Sequence, residues 1–132
     1  MMKRKGLTMM ELLIVIIIMA IMATLMLPKF FGQEERGYVA EAVGILSAIR
    51  QGEEAHKLEH TDYVYTSGGA LDWASLGMDS PTGVFSYTVT RVGTTTTFTA
   101  VANRQGGGAF AGQTITLTSS GVYSGTHIYK PK

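Results

Sequence analysis

Residues 7–27 read LTMMELLIVIIIMAIMATLML, with Thr8, Glu11 and Thr24 the only polar side chains among 21 residues. At about 1.5 Å per residue a helix of this length spans roughly 31 Å, close to the hydrocarbon thickness of a bilayer. Lys3, Arg4 and Lys5 stand just before it. Such a basic cluster stays cytoplasmic, which places the chain beyond Pro28 on the other side of the inner membrane. A secretory signal peptide has a shorter apolar run closed by a small-residue cleavage site. Here the run is longer, and Ala20 and Ala23 have the wrong spacing for that site. A plain signal anchor accounts for length and charge but gives Glu11 no purpose. A carboxylate inside an apolar helix costs about 2.5–3.5 kcal/mol on insertion scales, so a partner for it is expected.

The stretch Gly6-Leu7-Thr8-Met9-Met10-Glu11-Leu12-Leu13, behind its short basic leader, resembles the processing site of the type IV pilins and type II secretion pseudopilins. The resemblance implies cleavage by a prepilin peptidase after Gly6 and N-methylation of the new N-terminus at Leu7. Glu11 stands at the family's glutamate position, five residues beyond the glycine, and Pro28 stands where many members have a helix-kinking proline. Leu7 replaces the phenylalanine most common after the cut. The physical logic is electrostatic. Cleavage exposes an ammonium at Leu7, and Glu11, four residues on, lies on the same helix face. In a bundle of staggered identical helices, Glu11 of one subunit can meet the Leu7 ammonium of the next. Without such a pair, apolar helices slide past one another; a desolvated ion and its counter-charge set a register. The alternative is a glutamate that reaches headgroup water. Met9, Met10, Met19, Met22 and Met26 supply adaptable packing groups on the same helix.

Outward from this segment, the amphipathic positions Tyr38, Ala42, Ile45, Leu46, Ile49 and Gly52 recur at 3–4 residue spacing to about Leu58, with Glu41, Arg50, Glu53, Glu54 and Lys57 between them. Residues 61–81 are rich in Gly, Ser and Asp and read as a loop with one helical turn, pinned by Trp73 and Leu76. Strands are expected over 84–91, with Phe85, Tyr87 and Val89 on one face, over 97–102 with Phe98, Ala100 and Ala102, over 114–118 with Ile115 and Leu117 inward, and over 122–124. A turn at Val92-Gly93-Thr94 and a hydrated Thr94–Thr97 run join the first two. The expected fold is α+β: a long N-terminal helix, transmembrane then amphipathic, packed on a small antiparallel sheet. Its divisions are a leader (1–6), an assembly helix (7–28), an amphipathic half (29–60) and a head of loop and sheet (61–132).

The whole chain has 132 residues and a net charge of +1, which fits one domain and shows no polyanion bias. It has no cysteine, so disulfides, thiolate metal sites, a cysteine nucleophile and a lipoprotein anchor are excluded. Residues 80–132 contain Arg91, Arg104, Lys130 and Lys132 but no Asp or Glu. No serine–histidine–acid set can therefore be built there, and the carboxylate-rich calcium loop of major pseudopilins is not expected. His56-Lys57-Leu58-Glu59-His60 matches the H-x-x-E-H pattern of one zinc peptidase class. With no third ligand in view it reads as a solvated helix end, and His127 as a surface strand residue. Gly106–Gly108 lacks the lysine of a phosphate loop. No catalytic residue, metal ligand or cofactor is expected, and no nucleic-acid role.

The resemblance implies a structural subunit of a type IV pilus-like filament, a self-polymer built through the apolar helix. Its partners would be prepilin peptidase, an inner-membrane assembly platform and a cytoplasmic assembly ATPase. It would stand in the inner membrane as a single pass before assembly, and in an extracellular or periplasmic filament after it. Two alternatives stand beside this: a pseudopilin of a type II secretion system, and a monomeric membrane-anchored binding module.

Overall fold

The structure is a computed structural model that describes residues 6–92 and 97–132, with the side chains of residues 27–31 outside the description. The basic leader Lys3–Lys5, the turn expected at Val92-Gly93-Thr94 and the side chains of Pro28, Phe30 and Phe31 thus fall wholly or partly outside it. One helix and four strands follow in order: α1 (Met9–Glu59), β1 (Phe85–Arg91), β2 (Phe98–Arg104), β3 (Thr114–Thr118) and β4 (Tyr123–Ser124). The chain forms two compact units, residues 1–35 and 36–132.

In the first unit, every described residue from Gly6 to Met26 is exposed. Met9–Met26 has a mean hydropathy of 2.6, and none of it is covered by the rest of the chain. In water this surface would be intolerable, since large continuous apolar patches on a soluble monomer are rare. It needs lipid or other helices around it. The backbone is helical through Pro28 and on both sides of it.

The second unit builds its own core. Val39, Ala42, Leu46 and Ile49 are buried along one stripe of α1 and join Phe85, Val89, Phe98, Ala100, Ala102, Ile115 and Leu117 from the sheet. The strands form an antiparallel meander in the order β1-β2-β3-β4. The register sets Val89 opposite Ala100 and Ala102 opposite Ile115, so the inward residues of neighbouring strands share one face. β2 alternates large Phe98 with small Ala100 and Ala102, all buried, which lets the helix approach mid-sheet. The inward positions expected for the strands are found buried, with Tyr87 only half-buried and Val39 added to the helix stripe.

Three contacts hold the loop to this core. Leu71 and Leu76 are buried, and Trp73 meets Tyr87 edge to face at 5.9 Å. Gly52 permits the 73–77 turn to lie on the helix: a Cβ there would stand 2.8 Å from the Leu76 carbonyl oxygen. Thr66 covers the outer edge of β1, its N–H donating to the Val89 carbonyl at 2.9 Å and its hydroxyl accepting from the Val89 N–H at 2.7 Å. That pairing satisfies donors and acceptors an edge strand would otherwise present to other chains. On the far side, Arg50 donates from Nε to the Ser119 carbonyl at 2.9 Å and ties the helix to the β3–β4 turn.

Two polar residues sit otherwise than their sequence context predicts. His127 is completely buried and lies outside the strands. Gly125 adopts φ +118° and passes so close to β3 that a Cβ would collide with the Thr114 carbonyl at 2.3 Å. This brings the C-terminal segment onto the core, where the His127 ring lies among Phe85, Phe110 and Tyr129. Its Nδ1 accepts the Tyr129 N–H at 3.3 Å. Glu53, expected on the polar side of the helix, is fully buried at the end of the apolar stripe. Its Oε2 accepts the Val64 N–H at 2.8 Å, while Oε1 has no hydrogen-bond partner among the described residues. Burial pushes the carboxyl up to about 7, against the Val64 hydrogen bond and with help from the nearby Glu54 and Asp62 charges. Burial also pushes the Tyr87 phenol up to about 12, with Glu41 adding to it.

Candidate processing and assembly site

The helix begins at a cap that its own sequence supplies. Thr8 precedes the first helical residue, and Glu11 stands three positions on. The Thr8 N–H donates to Glu11 Oε2 at 2.7 Å, and the Thr8 hydroxyl donates to the same oxygen at 2.9 Å. In return the Glu11 N–H donates to Thr8 Oγ1 at 3.2 Å. The Leu12 N–H already reaches the Thr8 carbonyl at 3.2 Å, which opens the helical ladder. This is a capping box: side chains satisfy two of the backbone donors that a helix start leaves unpaired. A carboxylate in the first turn also faces the positive end of the helix dipole.

Of the expected residues, Glu11 lies in the first turn of α1, whereas Leu7, 73% exposed, precedes the helix, which begins at Met9. Gly6 is exposed, and a Cβ built on it would meet nothing within 4 Å. The chain's own packing therefore gives no reason for a glycine at that position. Pro28 lies well along the helix, away from this end. Thr8 is a participant that the glycine–glutamate spacing does not include. Its signal is nevertheless local: a threonine followed three residues later by glutamate, immediately before an apolar run.

Both Thr8 bonds go to Oε2 of Glu11, and no hydrogen bond to Oε1 is found among the described residues. The carboxylate is thus oriented by its own chain with one oxygen left over. It stands in the first turn of an uncovered apolar helix, where attraction to a cation would strengthen once water is excluded.

Residues 1–27 match the family described as the prokaryotic N-terminal methylation motif. The chain is similar to the type II secretion system core protein G of Escherichia coli (strain K12), 30% identical over 67 residues, 51% of this chain and 46% of that protein. The protein of the same name from Aeromonas hydrophila is 32% identical over 67 residues, 51% and 47% of the two chains. That from Klebsiella pneumoniae is 29% identical over 69 residues, 52% and 49%. The match spans about half the length of each of these curated relatives. No solved structure matches the chain significantly. These similarities support the same grouping that the Gly6–Leu13 stretch implies.

Proposed function

We propose that this chain, whose residues 1–27 match the prokaryotic N-terminal methylation motif, belongs with the type IV pilins and pseudopilins and is a structural subunit of a pilus-like filament. On this reading a prepilin peptidase cuts after Gly6, Leu7 becomes the methylated N-terminus, and the apolar helix carries polymerisation. The subunit itself catalyses nothing. The observation that carries the proposal is the oriented Glu11 carboxylate at the start of a helix whose apolar surface the chain leaves bare. Such a helix has a use in lipid first and among sister helices afterwards. The spare Glu11 oxygen offers the Leu7 ammonium of a neighbour its counter-charge.

The chain would stand in the inner membrane with residues 1–6 cytoplasmic and the sheet-bearing unit outside, and leave the bilayer on assembly. Work against the membrane would come from an assembly platform and a cytoplasmic ATPase. Pro28 would supply the place where the helix bends to fit the bundle. The name shared by the relatives favours a second reading, in which the filament is a type II secretion pseudopilus. The absence of Asp and Glu from residues 80–132 leaves that stretch without the carboxylates a calcium loop would use.

Intact mass of protein purified from native filaments tests the processing step directly. The expected mass lacks residues 1–6 and carries one added methyl group. Filaments built of subunits that keep Met1–Gly6 would overturn the proposal.

A further inference from the structure

We propose that the C-terminal end of α1, with the residue that follows it, forms a site for a late first-row divalent cation, of the zinc or copper class, with the imidazoles of His56 and His60 as its protein ligands. The two residues lie four apart, on one face of the helix. Their rings stack, with centroids 4.0 Å apart and planes 11° from parallel. His56 is half-buried, while Leu58, Glu59 and His60 are exposed as a solvated helix end would be.

The hydrogen bonds choose the tautomer. Nδ1 of His56 lies 3.1 Å from the Asp62 carbonyl oxygen, and Nδ1 of His60 lies 3.2 Å from the His56 carbonyl oxygen. A carbonyl oxygen only accepts, so each Nδ1 carries the hydrogen and, in the neutral ring, each Nε2 carries the lone pair. A ring held through Nδ1–H by a main-chain carbonyl, with Nε2 left for the metal, is how proteins orient ligating histidines. No hydrogen bond to either Nε2 is found among the described residues.

Space and charge agree. His56 and His60 line one cavity of about 280 Å³ together with Glu59 and Ser75. The site caps the C-terminal end of a helix, where the backbone dipole favours a cation. Glu59, three residues after His56, also lines this cavity. Among the described residues no three His, Cys, Asp or Glu side chains stand in ligating arrangement, so on this proposal water would supply the remaining ligands. Two imidazoles with open positions suit zinc, copper or nickel rather than calcium or magnesium, which prefer all-oxygen shells. Metal–nitrogen bonds of about 2.0–2.1 Å draw both Nε2 atoms onto one ion. Loading therefore unstacks the rings, and the exposed His60 is the one placed to turn. The inference is independent of filament assembly.

The test uses the full chain in detergent micelles with any affinity tag removed. Zinc chloride titrated by calorimetry should bind at one equivalent, and calcium chloride should not compete. Copper(II) at the same site should give an electron paramagnetic resonance spectrum with coupling to two imidazole nitrogens. H56A and H60A should each weaken zinc binding by about tenfold or more. Because His60 is exposed, H60A is expected to keep the folded head, checked by Trp73 fluorescence. Zinc binding that survives H60A in a folded head overturns the proposal, as does a copper spectrum with only one histidine nitrogen or heat indistinguishable from that of the H56A/H60A variant.

Discussion

The two halves of α1 share a secondary structure and little else. Between Met9 and Met26 the apolar residues run around the whole helix, and all of them are exposed. Between Val39 and Glu53 the buried positions fall at 39, 42, 46, 49 and 53, alternating three and four residues apart. One half is apolar on every side and is covered by no other part of the chain described. The other is apolar on one stripe and finds its partners in the sheet. Helix propensity does not separate the two; the angular width of the apolar surface does.

If the halves are independent in this sense, mutations should sort cleanly between assembly and folding. The largest effect is expected from Glu11→Ala, which should leave membrane insertion normal and abolish filaments, scored by electron microscopy beside membrane fractionation. Normal filaments from this variant would rule out an electrostatic register. Leu46→Ala acts on the other half. It deletes a fully buried side chain and should cost about 2–5 kcal/mol of head stability, with insertion unchanged. Trp73 is the single tryptophan and sits in the head, so its fluorescence during denaturant unfolding reports that half alone.

A pH titration sharpens the comparison, because the head holds an acid, Glu53, pushed upward by burial. The Glu53 carboxyl binds its proton more tightly folded, at about 7, than unfolded, near 4.5. The folded state therefore holds more protons across that window, and stability falls as pH rises through it, by up to about 3 kcal/mol. Above pH 7 the cost is complete; below about 4.5 it is absent. Glu53→Gln, which keeps an acceptor for the Val64 N–H, should flatten the profile between pH 5 and 8. An unchanged slope would mean that another group carries it. The smallest effect is expected from Arg91→Gln. The Arg91–Asp62 ion pair is exposed on both sides, 47% and 45%, and such pairs contribute little and are screened by salt. Its removal should shift the unfolding midpoint barely at all, and less in high salt.

Much of this molecule is legible along the chain. The apolar run, the glycine–glutamate spacing and the strand alternation are local patterns, and local patterns survive in one dimension. The capping box at Thr8 and Glu11 is equally local, although the long-range purpose of the Glu11 carboxylate draws the eye away from it. The fate of single polar residues is not legible in that way. Glu53 reads as another charge on a charged helix face until Val64 folds back to donate to it. His127 reads as an isolated polar residue until Gly125 lets its segment press against Thr114.

From the order of residues alone came the bilayer-length segment, the helix-then-sheet architecture and the inward face of the first three strands. Each follows from periodicity and composition, which depend on neighbours a few positions away. The three-dimensional structure alone decided which polar groups lose their water. That choice rests on chain segments far apart in sequence: residue 64 on 53, residue 76 on 52, residue 114 against 125. Desolvation is a property of everything that surrounds a group, and no window along the chain contains it.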